Sequence, residues 1–185
     1  MKRVVVIGTS CSGKTTLARR LAEMLGTTHI ELDSIHWKPN WRPRLDEEFR
    51  RLTAEAILPE RRVADGNYNQ VRDIVWVKAA TIIWLNYPFH VVMWRALSRT
   101  LKRIIDQEEL FSGNRETFRQ SFLSRDSILW WVITSFNRRR EEYRAIFDSE
   151  EFPHLNIIEL QKPKEAEEFL KLISGRARNW PQGRT

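Results

Sequence analysis

Apolar positions follow two rhythms along the 185-residue chain, and the chain switches between them repeatedly. Val4-Val5-Val6-Ile7 is an unbroken β-branched run ending at Gly8, as expected of a strand buried on both faces of a parallel sheet. From Lys14 the spacing turns helical: Leu17, Leu21 and Leu25 share one face, and Gly26 supplies the stop. Further strands are expected at 29–32, closed by Asp33, at 62–64, leading into Asp65-Gly66, at 81–85 and at 155–160. Between them Asp46 caps a helix to about Leu58, and Pro88 opens another to about Asp106. A long amphipathic helix covers about Ser124 to Phe147, with Ile128, Trp131, Val132 and Ser135 on one side, and a last helix runs from Lys164 to Ile173. Residues 34–44, with Pro39 and Pro43, read as a loop. Strands alternating with helices predict a doubly wound α/β sandwich of three layers, a parallel sheet covered on both faces. Neither a linker nor a repeat interrupts it, so 1–173 reads as one domain and 174–185 as a flexible tail.

Composition changes this picture in only a few places. An apolar fraction of 42% suits a packed core. Cys11 is the single cysteine, which rules out an internal disulfide and gives secretion no support. No stretch approaches the length of a membrane span, and Val4 to Ile7 is too short for the apolar region of a signal peptide. A cytoplasmic location is the expectation. The formal net charge of +7 suits a protein that attracts anionic small molecules, or one that binds nucleic acid. No helix-turn-helix, zinc-finger or RNA-recognition signature accompanies that charge.

Gly8-Thr9-Ser10-Cys11-Ser12-Gly13-Lys14-Thr15 matches G-x-x-x-x-G-K-[ST] without a mismatch, between an expected strand and an expected helix. A chance match in a chain this long is on the order of one per cent. The chemistry assigns each position a task. Gly8 and Gly13 let the backbone turn so that successive N–H groups, with Ser10, Cys11, Ser12 and Thr16 in the cradle, face phosphate oxygens. Lys14 is placed to reach the β- and γ-phosphates, and Thr15 to offer its hydroxyl to Mg²⁺. Cys11 fills a free position, where a small tolerated residue is the plain reading. The ligand expected is a nucleoside triphosphate, ATP or alternatively GTP, with Mg²⁺.

The chain lacks an N-K-x-D base-reading motif and a run of four apolar residues closed by an acid, which points away from GTPases and large ATPases. With the P-loop start, Asp33 after the second strand and Asp65-Gly66 after the third, it resembles the nucleoside, nucleotide and shikimate kinase group over nearly its whole length. More narrowly, the P-loop with Thr16, Glu31-Leu32-Asp33-Ser34-Ile35-His36-Trp37, Asp65-Gly66-Asn67-Tyr68 and Gly113-Asn114-Arg115-Glu116 resemble the adenylate-kinase-like proteins labelled topology modulation proteins. The resemblance implies a strand order of 2-3-1-4-5, an acceptor-binding segment at about 34–60 and a helical lid at about 100–122. It also implies that backbone at Gln161-Lys162-Pro163 passes along the adenine. One departure stands out: adenylate kinases carry Asp-Gly-Phe-Pro-Arg after strand three, whereas here no arginine follows until Arg72.

Ligands of open α/β sheets bind beyond the carboxyl ends of the strands, so Asp33 and Asp65 are expected in the phosphate crevice. Asp33 is a candidate to take the acceptor's hydroxyl proton or to hold a Mg²⁺-bound water, and alternatively a turn cap. Asp65 is a further candidate for Mg²⁺ through water. Gly66 would allow close approach of the acceptor, with Asn67 and Tyr68 against it. His36, Trp37 and Trp41 either stack on a base or sugar or anchor the proline-rich loop. Arg95, Arg99 and Arg103 share a helix face, either solvated or turned to the transferring phosphate, and Arg115 is a lid candidate. Arg138-Arg139-Arg140 reads as a solvated stretch. These residues together predict a small kinase acting on a nucleoside or nucleotide. The alternatives are a nucleotide-dependent nucleic-acid-binding or regulatory protein, and a nucleotide binder without turnover.

Overall fold

The computed structural model describes residues 1–106, 128–149 and 151–178. Strands β1 (Arg3–Gly8), β2 (Thr28–Glu31), β5 (Arg62–Asp65), β6 (Thr81–Leu85) and β7 (Asn156–Leu160) form one five-stranded sheet in the order β2-β5-β1-β6-β7, with parallel pairing throughout. Two short strands, β3 (Trp37–Lys38) and β4 (Arg42–Pro43), make a separate antiparallel pair. Counting only the strands of the main sheet, the order is the 2-3-1-4-5 expected.

Alternation along the strands builds two cores. Val4 and Val6 face a layer containing helices α1 (Lys14–Leu25) and α5 (Phe89–Asp106), through Leu17, Leu21, Val92 and Ala96. Val5 and Ile7 face the opposite layer, where Phe49 of α3 (Asp46–Ala56) and Val75 of α4 (Arg72–Val75) pack. The long helix α6 (Ile128–Asp148) joins both: Val132 and Phe136 enter the first core and Tyr143 the second. Trp131, expected among its inward residues, is instead largely exposed, while Ser135 is buried. The last helix, α7 (Pro163–Arg178), packs on α1. It carries the chain in helical form through 174–178, the start of the expected tail. Among the described residues, no helix is long and apolar enough to cross a membrane.

Residues 32–44 are more ordered than proline content suggests. Leu32 and His36 are both buried on one face of the short helix α2 (Leu32–His36). The chain then turns back through Asn40 (φ 61°) and Trp41 (φ 54°) into the β3–β4 pair. Arg44 closes the segment, its Nε donating to the Ile35 carbonyl at 2.6 Å and its Nη1 to Glu48 at 2.6 Å. The prolines sit at a 3₁₀ start and on the short edge strand, where a missing N–H costs nothing.

Candidate active site

The phosphate loop lies between β1 and α1, at the carboxyl end of the sheet. Gly8 (φ 150°) and Gly13 (φ 96°) both have positive φ, and a Cβ on Gly8 would meet the Leu85 carbonyl oxygen at 2.7 Å. Cys11 also takes positive φ, at 64°, and is buried. Lys14 is half-buried and donates to the Thr9 carbonyl at 3.1 Å. Burial lowers its pKa, an effect opposed by the negative charges of Asp33 and Asp65.

Parallel register explains how acids meet this loop. Glu31 is the register partner of Asp65, and His29 precedes Glu31 by two, so all three side chains share the sheet face on which α1 packs. Asp65, only 2% exposed, receives the Thr15 hydroxyl on Oδ2 at 2.7 Å and lies against His29 Nε2 through Oδ1 at 2.7 Å. Burial, followed by the charges of Asp65 and Asp33, raises the pKa of Glu31. Asp33, in the first turn of α2, accepts from the Tyr68 hydroxyl at 2.6 Å. Burial and then Asp33 push the Tyr68 phenol up, which keeps it a donor.

Asn67 and Gly66 hold the loop from below. The Asn67 side chain accepts from the Gly8 N–H at 3.3 Å and donates to the Gly8 carbonyl, so one amide grips both polar groups of a P-loop residue. Gly66 has φ 142°, and a Cβ there would lie 2.7 Å from Leu32 Cβ. Its bareness therefore serves packing against α2. Gly66→Ala is expected to lower stability by about 1–3 kcal/mol, from combined strain and overpacking. A denaturant midpoint equal to that of the wild type would contradict this.

His36 is buried among rings, 4.5 Å from Tyr68, 4.7 Å from Trp37 and 4.9 Å from Phe49 between centroids, and Trp37 meets Trp41 edge-on at 5.7 Å. These aromatic residues thus anchor the 32–44 segment. Burial lowers the His36 pKa below its ordinary 6.5, against the pull of Asp33 and Asp46. Folding therefore favours the neutral ring: its contribution is intact above pH 6.5 and is lost as pH falls through the lowered folded value. His36→Phe should accordingly lose less thermal stability than the wild type between about pH 7.5 and about pH 5.5. Equal losses in the two proteins would contradict it.

On α5, Arg95 donates to the Ser12 carbonyl at 2.6 Å and lies over the Tyr87 ring at 5.1 Å. Arg99 stands close enough to depress the Lys14 pKa, and its buried Nε has no hydrogen-bond partner among the described residues. Arg103 is on the same helix, and Arg115 lies outside the described residues, as does the expected lid beyond 106. Arg72 is paired with Glu142 at 2.5 Å, bonds Asn69 at 2.8 Å and lies over Trp76 at 5.0 Å. Arg139 bonds Asn69 at 3.0 Å, rather than standing in a purely solvated stretch. After β7, the N–H groups of Gln161 and Lys162 donate to Glu165 at 2.6 and 3.3 Å and cap α7.

Sequence reasoning did not single out His29 or Glu31, although their period-two spacing before Asp33 places them on the face of the acids. It grouped Arg95 with Arg99 but could not show that Arg95 props the loop.

Among the described residues, no three His, Cys, Asp or Glu side chains converge into a ready-made metal cage. The donor set nonetheless fits Mg²⁺, which keeps several waters and takes oxygen from one or two protein groups plus phosphate. The Thr15 hydroxyl is already held on the Asp65 carboxylate, so a hydroxyl and a carboxylate oxygen stand side by side at the end of the phosphate loop.

Comparison with known proteins places this arrangement. A shikimate kinase from Acinetobacter baumannii, in complex with shikimate, aligns with a TM-score of 0.53 and 16% identity over 95% of this chain and 94% of its own. A gluconokinase from Sinorhizobium meliloti 1021 aligns with a TM-score of 0.52 and 18% identity over 96% and 94%. The likeness shows the fold, which this chain shares with those two kinases. The AAA domain family matches residues 4–83, the part of the fold that holds the phosphate loop, Asp33 and Asp65. No curated protein matches the chain.

Proposed function

We propose that the protein is an ATP-dependent kinase that transfers the γ-phosphoryl group to a hydroxyl of a small acceptor, a nucleoside or nucleotide. The observation that carries this reading is the meeting of donor and acceptor groups at one place. Lys14 and Thr15 of the phosphate loop stand within electrostatic or hydrogen-bond reach of Asp33 and Asp65, which end or follow neighbouring strands. Lys14 exchanges the Thr9 carbonyl for phosphate oxygens, Arg99, close enough to act on Lys14, adds positive charge beside them, and Asp33 receives the acceptor's proton. Thr15, and Asp65 through water, would hold Mg²⁺, which would supply charge neutralisation at the phosphates.

The motifs that resemble the adenylate-kinase-like topology modulation proteins support the same chemistry. Within the proposed acceptor class, a nucleoside is better supported than a nucleotide. No arginine follows Asp65-Gly66, and Arg72, the next in the chain, is already paired with Glu142. An unclamped acceptor needs a hydroxyl more than a phosphate.

The test is ADP formation by purified protein with Mg·ATP, screened over nucleosides, nucleoside monophosphates, gluconate and shikimate, beside a Lys14→Met control. Acceptor-dependent ADP above the control is expected for a nucleoside. No acceptor raising ADP above the control would overturn the reading, and salt-dependent DNA binding in its place would promote the nucleic-acid alternative.

A further inference from the structure

The sheet has a second functional-looking end. Opposite the phosphate loop, where β1 and β5 begin and the chain approaches β6, lies an open cavity of about 750 Å³ including its mouth. Its polar lining holds three cations, Arg3, Arg62 and Lys78, with His154 and Glu60 beside them. Arg62 is only 5% exposed, yet no carboxylate among the described residues pairs with it. Its Nη1 donates to the Pro59 carbonyl at 2.8 Å and its Nη2 to the Lys78 carbonyl at 3.1 Å. Those two bonds use two of five N–H groups on a cation that does not shed its proton.

Burial, then the charge of Arg3, pulls the Arg62 pKa down, so the folded chain holds this positive charge against electrostatic opposition. Glu60, the acid in the lining, is ion-paired with Lys2 at 2.9 Å at the surface and also feels the charge of Arg3. His154 donates its Nε2–H to the Trp76 carbonyl at 3.3 Å. The rim is apolar: Leu58 is 72% exposed and Val77 56% exposed, both flanking the cavity. Buried charge ordinarily has a charged or hydrogen-bonding partner, and the two apolar side chains at the rim offer a surface for an apolar ligand body.

We propose that this cavity binds a small organic oxyanion, a carboxylate or phosphate ester carried on an apolar body. The oxyanion sits on the free N–H groups of Arg62, with Arg3 and Lys78 closing around it, and the body rests on Leu58 and Val77. A planar guanidinium fork suits either oxyanion, since both present paired oxygens. The site lies at the far end of the sheet from the phosphate loop and does not depend on the kinase reading.

The experiment uses the full chain with its phosphate loop filled by a non-hydrolysable ATP analogue and Mg²⁺, so that added phosphate reports elsewhere. The His154 ring resonances, assigned with a His154→Gln variant, are followed while phenyl phosphate, benzoate or inorganic phosphate is added. Phenyl phosphate or benzoate should shift them saturably at millimolar concentration or below, and about threefold or more tighter than inorganic phosphate does. Arg3 and Lys78 are exposed, so the double variant Arg3→Gln, Lys78→Gln should keep the wild-type melting temperature while weakening binding about threefold or more. No saturable shift with any probe would overturn the proposal and leave Arg62 as a clamp on two carbonyls. Undiminished affinity in the double variant would overturn it equally.

Discussion

Lys14→Met is expected to lower phosphoryl transfer by about 10³-fold, with the fold intact. The side chain is half-buried and, among the described residues, its ammonium bonds the Thr9 carbonyl, so a methionine of similar length fills the space and gives up an exchangeable bond. What disappears is a positive charge in a site where burial already strengthens every electrostatic contact. The charge is also conditional on its neighbours. Burial lowers the Lys14 pKa and Asp33 and Asp65 raise it, so the two acids help keep the lysine charged before nucleotide arrives. The measurement is kcat with saturating acceptor, together with the melting temperature. A variant within about tenfold of the wild type would remove Lys14 from the reaction.

The second large effect is expected at Asp33. Asp33→Asn keeps an oxygen that can accept from Tyr68, so the bond that positions residue 33 against the third-strand segment survives. The substitution removes the base and the charge, and kcat should fall by about 10² to 10⁴-fold with nucleotide affinity little changed. Tyr68→Phe is the companion variant, since it removes the hydroxyl and leaves the carboxylate. If Asp33 serves only as a turn residue, the two variants will lose similar, small amounts of activity. If it takes the acceptor's proton, Asp33→Asn alone will show the large loss, and its pH–rate profile will lose the acidic limb.

The sheet and the phosphate loop were legible because each depends on local, repeated signals. Val4 to Ile7 can be read as a buried strand from four residues, and the loop from fixed glycines and a lysine. The surroundings were less legible because they depend on register and side-chain reach. That Glu31 sits beside Asp65 follows from the pairing of β2 with β5, strands separated by a helix, a hairpin and another helix. Gly66 read as space for a ligand, and a Cβ there would also meet Leu32, the first residue of α2, a close approach that spacing along the chain does not display. Trp131 fitted an apolar stripe and yet faces outward, while Ser135 lies inside with its hydroxyl donated to the Trp131 carbonyl at 2.5 Å. Ser135 therefore lies on the side expected with Val132, its hydroxyl satisfied by its own helix backbone.

Time itself acts on the Asn67 amide. Hydrolysis of that side chain to a carboxylate, a slow reaction open to any asparagine, would replace the group that donates to the Gly8 carbonyl with a charged acceptor facing it. Two acceptors would then oppose each other directly beneath the first glycine of the phosphate loop. The protein would age from its phosphate loop outward, with the loop loosening before the sheet beneath it.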